Sequence, residues 1–371
     1  MSRERFKRQE KGSFFGNFIY DRIVPADHFM RKLDEVVPWE RLTKKLVKLY
    51  RGRARQGRPP YDPAVLLKML LVSYLYDVSE RQVEALANDS LSIKCFLGLA
   101  ADELAPDHST LSAFKRRILE NGKLAAFEEL LVEIVCMAQE QGIKLGSLQV
   151  MDSVHTEANV NVQKDARRQK REGKPPRDRG ARWGVKHTRR VKDAKGKTVR
   201  QKVYFHGYKA HVSLNAETGL ITSALVTPGN GHDGHQLPKL LEKDLDLGLP
   251  FDTVAADRAY DDSGNHYLLR SKGLHSAIRL NDYRTRKKDK NKAGWLAMEK
   301  DPHHIRGQRE RYKIERKFGE AKQGHGLRRC RYLGLIRYAI QVFMTAMALN
   351  LKRMVKLLAG VNFKGRARAT A

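Results

Sequence analysis

Leu148-Gln149-Val150-Met151-Asp152-Ser153-Val154 is where the chain changes its period. Up to about Gly142 the apolar residues recur at helical spacing, whereas Leu148, Val150 and Val154 lie on a short strand-like run. Downstream, Val203 to Leu214 alternates through Val203, Phe205, Tyr208, Ala210, Val212 and Leu214. Leu220 to Val226 is rich in β-formers and stops at the turn cluster Pro228-Gly229-Asn230-Gly231. His235 to Leu247 reads as a helix, Phe251 to Ala256 as a buried strand, Asp262 to Lys272 as a helix capped by Asp262, and His275 to Leu280 as a further strand. Strands followed by alternating helix and strand predict an α/β domain with a mixed sheet. The block Gln163 to Lys202 interrupts that pattern with Gly, Pro and positive charge, and reads as a long loop or partly disordered insertion. No internal repeat is apparent.

Upstream of the change the pattern is helical. Residues 1 to 60 hold an aromatic patch (Phe14, Phe15, Phe18, Tyr20) and end in a basic run from Arg51 to Pro60. Asp62 is placed to cap a helix that opens with Pro63 and continues through Leu66, Leu67, Leu70, Leu71 and Leu75. Ser79 and Gln82 have capping-box spacing. Asp107 to Ser109 starts a helix over Thr110 to Leu119, with Leu111, Phe114 and Ile118 on one face and Lys115, Arg116 and Arg117 on the other. An amphipathic helix, Leu124 to Glu140, follows. The short basic helix is either a solvated face or an element that enters a DNA groove as a helix-turn-helix does.

The 371 residues carry 72 Lys and Arg against 42 Asp and Glu, a net charge of +30. Its distribution is uneven: +2 over residues 1–162, +14 over 163–209, −4 over 210–283, +12 over 284–337 and +6 over 338–371. Two cationic blocks flanking an acidic centre suit a polyanion that releases its counterions on binding, which makes nucleic acid the first partner to consider. An anionic membrane surface is the rival, but neither block has the sustained apolar face of an interfacial helix. With 41% hydrophobic residues in periodic clusters, the chain is not a disordered polyelectrolyte.

Cys95, Cys136 and Cys330 form no close pair, which argues against a disulfide framework and a zinc site and for a reduced, cytoplasmic setting. Met1 to Phe6 is charged and no apolar h-region follows, so no secretory signal is expected. Tyr338 to Leu351, broken by Gln341, Thr345 and Asn350, is too short to span a membrane.

Three carboxylates stand out by placement. Asp152 interrupts an apolar strand, Asp257 follows Thr253-Val254-Ala255-Ala256 at the end of a buried strand, and Glu315 lies in a late helix within Arg311-Tyr312-Lys313-Ile314-Glu315-Arg316-Lys317-Phe318. Converging buried carboxylates require a divalent cation, and Mg²⁺, with Mn²⁺ as substitute, suits carboxylate ligands and phosphate chemistry. Arg311, Glu315 and Lys322, at i, i+4 and i+11, fall on one helix face, so one carboxylate can hold metal while two cations hold phosphate. A structural salt-bridge helix uses the same residue types. Taken together, the three positions favour two-ion chemistry, in which one ion activates water or a 3′-hydroxyl and the other stabilises the leaving oxygen.

At this point the chain resembles the DDE transposases of bacterial insertion sequences, of the IS-five group and its relatives. Pro106-Asp107-His108-Ser109-Thr110-Leu111-Ser112-Ala113-Phe114-Lys115-Arg116-Arg117 is similar to a segment of the family's helical N-terminal domain. Asp152 matches the first family aspartate, and Ala256-Asp257-Arg258-Ala259-Tyr260-Asp261 matches the segment of the second. The family signature of Tyr, Arg, Glu and Lys spaced by two, three and six residues matches Arg311, Glu315 and Lys322, with Gln308 at the tyrosine position. The resemblance spans about Tyr61 to Lys352. It implies an RNase H-like catalytic domain, hydrolysis at the element's ends to free 3′-hydroxyls, and strand transfer into target DNA with Mg²⁺. Asp152, Asp257 and Glu315 would be both catalytic residues and metal ligands. Arg311, Lys322, Lys115, Arg116, Arg117 and Arg258 are the expected DNA contacts. Double-stranded DNA, as transposon ends and target, is the expected partner, and pairing of two ends makes a homodimer natural in a nucleoid-associated protein.

The organisation expected is an N-terminal arm, partly helical, over 1–60; an all-helical DNA-binding domain over 61–145; an RNase H-like catalytic domain over 146–358 with the basic insertion 163–202; and a basic tail over 359–371. A DNA-binding regulator without catalysis and a stand-alone RNase H-like nuclease are the competing functions. Three lesser features have two readings each. Asp233, after Thr227-Pro228-Gly229-Asn230-Gly231-His232, either lines the site with His232 or, the favoured reading, caps the next helix. Trp183 and Trp295 either stack on an unpaired base or pack locally. Arg258 either contacts phosphate or neutralises Asp261 and Asp262. His155 and Glu157 lie on the strand of Asp152.

Overall fold

A computed structural model describes residues 6–7, 14–50, 59–192, 198–281 and 292–363. Most of the basic run from Arg51 and the end of the basic tail, residues 364–371, lie outside the described residues. The chain forms two compact units, one of residues 1–143 with 344–371 and one of residues 144–343.

The first unit is helical: α1 (Phe14–Ile23), α2 (Phe29–Val36), α3 (Trp39–Lys48), α4 (Pro63–Leu75), α5 (Glu80–Asp89), α6 (Leu91–Leu97), α7 (His108–Gly122) and α8 (Ala125–Glu140). α4 is apolar apart from Lys68 and Ser73 and every one of its residues is buried, as a central helix requires, with Lys68 ion-paired to Asp34. Asp62 caps it through Ala64 N, and Pro63 occupies its first turn. Ser79 and Gln82 make a reciprocal capping box at α5, and Asp107 caps α7 through Thr110 N. The structure draws the later domain boundary within the last helix, between Phe343 and Met344, rather than near residue 358. Apolar packing decides this: Met347, Leu351 and Met354 are buried, and Phe363 packs edge-on against Phe29 and Tyr76, with ring centroids 4.9 and 5.1 Å apart.

The second unit contains β1 (Leu148–Glu157), α9 (Val162–Glu172), β2 (Arg182–Lys192), β3 (Thr198–Asn215), β4 (Ile221–Pro228), α10 (Leu237–Asp246), β5 (Thr253–Ala256), α11 (Ser263–Ser271), β6 (His275–Ile278), α12 (Lys292–Glu299), α13 (Pro302–Glu310), α14 (Tyr312–Gly324) and the first turns of α15 (Leu335–Ala359). β1 pairs with β3 antiparallel and with β5 parallel, β5 pairs with β6 parallel, and β4 pairs with β3 antiparallel. This mixed sheet, antiparallel on one side of β1 and parallel on the other, is the RNase H-like arrangement that the resemblance implies. Gln341, which breaks the apolar run of α15, is fully buried because its amide accepts from Arg331 N and donates to the carbonyls of Gly326 and Arg329, holding the preceding loop.

The block 163–202 is not the loop its composition suggests. Asn161 caps α9, and Gly173 closes it with a left-handed residue at φ 63°. β2 then pairs with the first half of β3 from Arg182↔Gly207 to Lys192↔Thr198. Neither element has an apolar face: α9 buries only Asp165, and β2 only Gly184. The ladder and one buried carboxylate hold the segment instead. Asp178 accepts from Gly180 N, Ala181 N, Gly334 N and the Tyr208 hydroxyl. Residues 193–197, at the ribbon tip, lie outside the described residues.

Candidate active site

The two aspartates meet because β1 and β5 are parallel neighbours. Val150 is in register with Ala255, so Asp152 lies two residues beyond the shared ladder and Asp257 directly follows β5. The crevice outside the carboxyl ends of parallel strands is the usual place for a site in such a sheet. Asp257 caps a short 3₁₀ turn, Arg258–Tyr260, its Oδ1 accepting from Ala259 N at 2.8 Å. Asp152 Oδ1 accepts from Ser153 N at 2.7 Å.

Glu315 arrives on α14. The helices α13 and α14 abut at Arg311, and the guanidinium bridges two carboxylates: Nη2 lies 3.6 Å from Asp152 Oδ2 and 3.5 Å from Glu315 Oε1. The expectation that all three carboxylates are buried is corrected here. The side chain of Asp152 is 15% exposed and that of Glu315 is 62% exposed, because Glu315 occupies the first turn of α14 on its solvent side. Lys322, two turns on, donates to His155 Nε2 on β1 at 3.4 Å. Burial, then Lys186 and Arg328, lower its ammonium to about 8, and burial with Lys322 lowers His155 to about 4.

Gln308, at the position of the signature tyrosine, takes a mounting role. Its amide donates to the Ala256 carbonyl at 3.1 Å and to that of Ala277, tying α13 to the ends of β5 and β6 one residue before Asp257. Gly307 lets the helix sit that close: a β-carbon there would stand 2.4 Å from Ala277 Cβ.

Further groups enter the site: Asp233, for which lining the site was one of two readings, and Lys209, His211 and Tyr260, which reading the sequence did not place there. Asp233 does not cap a helix through its side chain. Its Oδ1 instead accepts from Lys209 Nζ at 2.8 Å, with His211 Nδ1 3.8 Å away. Lys209 also donates to Gly231 O, and His211 Nε2 contacts Thr227 Oγ1 at 2.9 Å. The buried Tyr260 hydroxyl has no hydrogen-bond partner among the described residues, and it feels the charges of Asp152, Asp233 and Asp257. The signal in the sequence was the polar turn Gly231-His232-Asp233 after β4, but capping accounts for such an aspartate equally well.

These neighbours set the electrostatics. Burial, then the charge of Asp257, push the Asp152 carboxyl up to about 7 despite Arg311. Burial likewise raises Asp257 and carries the Tyr260 phenol well above its ordinary range. Crowded carboxylates that resist ionisation, beside an orphaned buried hydroxyl, form an all-oxygen donor set. That set fits a hard divalent cation.

Other expected DNA contacts are scattered. Arg258 is exposed on the turn after Asp257. Lys115, Arg116 and Arg117 lie on α7 in the other unit. Lys115 is corrected: its side chain is 11% exposed and ion-paired with Glu80, so it serves the helical core. The Arg117 guanidinium stacks on the Tyr50 ring at 4.2 Å, and Arg116 faces solvent. Trp183 is exposed beside His206, whereas Trp295 packs on His266 with centroids 4.6 Å apart.

Two family models match the chain. The model described as a transposase domain (DUF772) covers residues 18–117, and the model of the transposase DDE domain covers residues 158–351. Among solved structures, a Mos1 transposase paired-end complex with left transposon end is similar at 10% identity over 84% of this chain and 95% of that one, with a TM-score of 0.19. A pre-cleavage Mos1 transpososome is similar at 10% identity over 96% and 99%, with a TM-score of 0.20. The second family match spans more than half of the sequence, including Asp257 and Glu315, and the chain therefore belongs to the DDE transposase family.

Proposed function

We propose that this transposase binds the ends of its own mobile element, hydrolyses the phosphodiester there, and joins the freed 3′-hydroxyls to target DNA, with Asp152, Asp257 and Glu315 as its metal ligands. The observation that carries the reading is Arg311, whose one guanidinium nitrogen touches both Asp152 and Glu315. A cation already balances charge between carboxylates on a strand and on a helix, where catalytic divalent ions would sit. Two Mg²⁺ ions, with Mn²⁺ as substitute, suit this oxygen set, and when bound they supply an activated hydroxyl nucleophile and a stabilised leaving oxygen.

The protein's own groups do the rest. Asp152, which retains a proton near neutral pH, would give it up on holding an ion, and Arg311 would then hold a phosphate beside the scissile bond. Lys322 adds a second phosphate contact. Lys209 neutralises Asp233 and keeps that carboxylate fixed at the rim.

The ribbon of β2 and β3 is suited to hold the duplex. Arg182, Lys186, Arg189, Arg190, Lys192, Arg200 and Lys202 project from it with no acidic residue among the described positions 182–192 and 198–206. A two-stranded β-ribbon fits the major groove. A homodimer pairing two element ends is the assembly we propose.

The test is metal-dependent cleavage of a labelled duplex carrying the element's own end, comparing wild type with Asp152→Asn. Nicking at the end junction that needs Mg²⁺ or Mn²⁺ and disappears in the variant is the expected result. End binding without cleavage by either protein, with metal present, would instead identify a DNA-binding regulator.

A further inference from the structure

The end of the sheet opposite the carboxylates carries a second cluster of ligating side chains. β5 and β6 run in parallel from Thr253↔His275, so Asp252, Thr253 and His275 share one edge, roughly 13 Å along β5 from Asp257. α13 begins at the same edge, where Asp301 Oδ1 caps it by accepting from His303 N at 2.7 Å. His275, Asp301 and His303 each bring one ligand atom within 4.8 Å of the others. The two imidazoles lie face to face, with centroids 3.7 Å apart and planes 2° apart.

The hydrogen bonds fix which nitrogen of His303 is available. Thr253 Oγ1 lies 2.6 Å from Asp252 Oδ1 and 3.1 Å from His303 Nδ1. An ionised carboxylate only accepts, so the single hydroxyl proton goes to Asp252 and Thr253 Oγ1 must accept from His303 Nδ1–H. His303 Nε2 therefore holds the free lone pair. An imidazole whose far N–H is anchored to a polar partner is the arrangement found behind metal-bound histidines. Asp301 spends Oδ1 on the helix cap and keeps Oδ2 beside His275 Nδ1, at 4.0 Å.

We propose that His275, Asp301 and His303 form a binding site for a borderline divalent cation of the zinc class, separate from the catalytic carboxylates. Two imidazoles and one carboxylate suit Zn²⁺ or Co²⁺ better than Mg²⁺, which prefers oxygen throughout. A tetrahedral ion with nitrogen bonds of about 2.0 Å needs donors about 3.3 Å apart. The stacked rings must tilt apart to aim both lone pairs at one ion, and side-chain exposures of 46, 39 and 35% leave room for that movement. The ion would join the start of α13 to the sheet edge. Because α13 continues through Gln308 to Arg311 and α14, it would stiffen the mount of Glu315.

The experiment uses the full chain, without a polyhistidine tag, in the Asp152→Asn, Asp257→Asn background so that the catalytic carboxylates do not compete. Co²⁺ is titrated and its visible d–d spectrum recorded, and Zn²⁺ is scored by thermal shift. One equivalent of Co²⁺ with a tetrahedral spectrum is expected, with a Tm rise of about 5 °C or more when Zn²⁺ is a hundredfold above Kd. His303→Ala should abolish both signals, and Thr253→Val, which removes no ligand, should weaken binding about tenfold. His275→Gln, a half-exposed edge position, replaces His303→Ala should that variant fail to fold. Absence of Co²⁺ and Zn²⁺ binding at about 100 µM, or binding unchanged in both histidine variants, would overturn the site.

Discussion

Asp152 is held close to neutrality by its surroundings, and this has a sign that can be checked. Its carboxyl, ordinarily at 3.8, is raised to about 7. A group that binds its proton more tightly folded than unfolded makes the folded state lose stability as pH rises between those two values. Metal-free Asp152→Asn should therefore melt several degrees above wild type at pH 8, and the gap should close at pH 4, as calorimetry at the two pH values would show. Divalent-ion affinity of the wild type should rise with pH through about 7, because the ion competes with that proton. Asp233 offers a second test. Asp233→Asn removes the carboxylate that fixes Lys209 at the rim, and cleavage should fall by about 10- to 100-fold with little change in Tm. A rate equal to wild type would remove Asp233 from the site.

At the scale of elements, placement of Glu315 depends on how closely α13 approaches the sheet. Gly307 allows the contact, and the Gln308 amide locks it to the ends of β5 and β6. Gly307→Val should cost about 2 kcal/mol or more by denaturant melting, because the added atoms meet Ala277 and Ala255 rather than solvent. Cleavage should fall further than stability alone accounts for, since an outward shift of α13 moves Arg311 at its end and, with it, the start of α14 that carries Glu315. The ribbon of β2 and β3 makes a different prediction. β2 and the first half of β3 are exposed on nearly all sides and contribute little to the core, so the triple variant Lys186→Ala, Arg189→Ala, Arg200→Ala should fold normally. Its end-binding affinity should drop, with a salt dependence shallower by up to about three charges' worth, as binding titrations across salt concentrations would reveal.

Over the whole molecule, charge is apportioned by unit. Residues 144–343 hold 43 basic and 22 acidic residues, a net +21 of the total +30. The unit with the proposed metal-binding carboxylates is thus also the more cationic. Such a field draws a polyanion toward carboxylates that would repel it at short range without metal. DNA association should slow steeply with added salt in stopped-flow measurements, whereas cleavage of pre-bound DNA should respond mainly to metal. No helix among the described residues is long and apolar enough to cross a membrane.

Local pattern alone determined a good deal of this protein. The shift in period at Leu148, the caps at Asp62, Ser79, Asp107 and Asp262, and the two strand-borne aspartates were all legible, because apolar periodicity and short polar caps act within a few residues. The signature spacing also marked Arg311, Glu315 and Lys322 before any packing was known. Other features needed tertiary structure. α9 and β2 have no apolar face to announce them, and a ladder with β3 and the buried Asp178 create them. Lys115 had the look of a DNA contact until Glu80, 35 residues away, claimed it. Asp233 looked like a cap until β3 brought Lys209 against it, and Glu315 looked buried until α14 turned it toward solvent. In each case the deciding partner is distant in the chain, and a charged or polar side chain takes its role from whichever partner satisfies it.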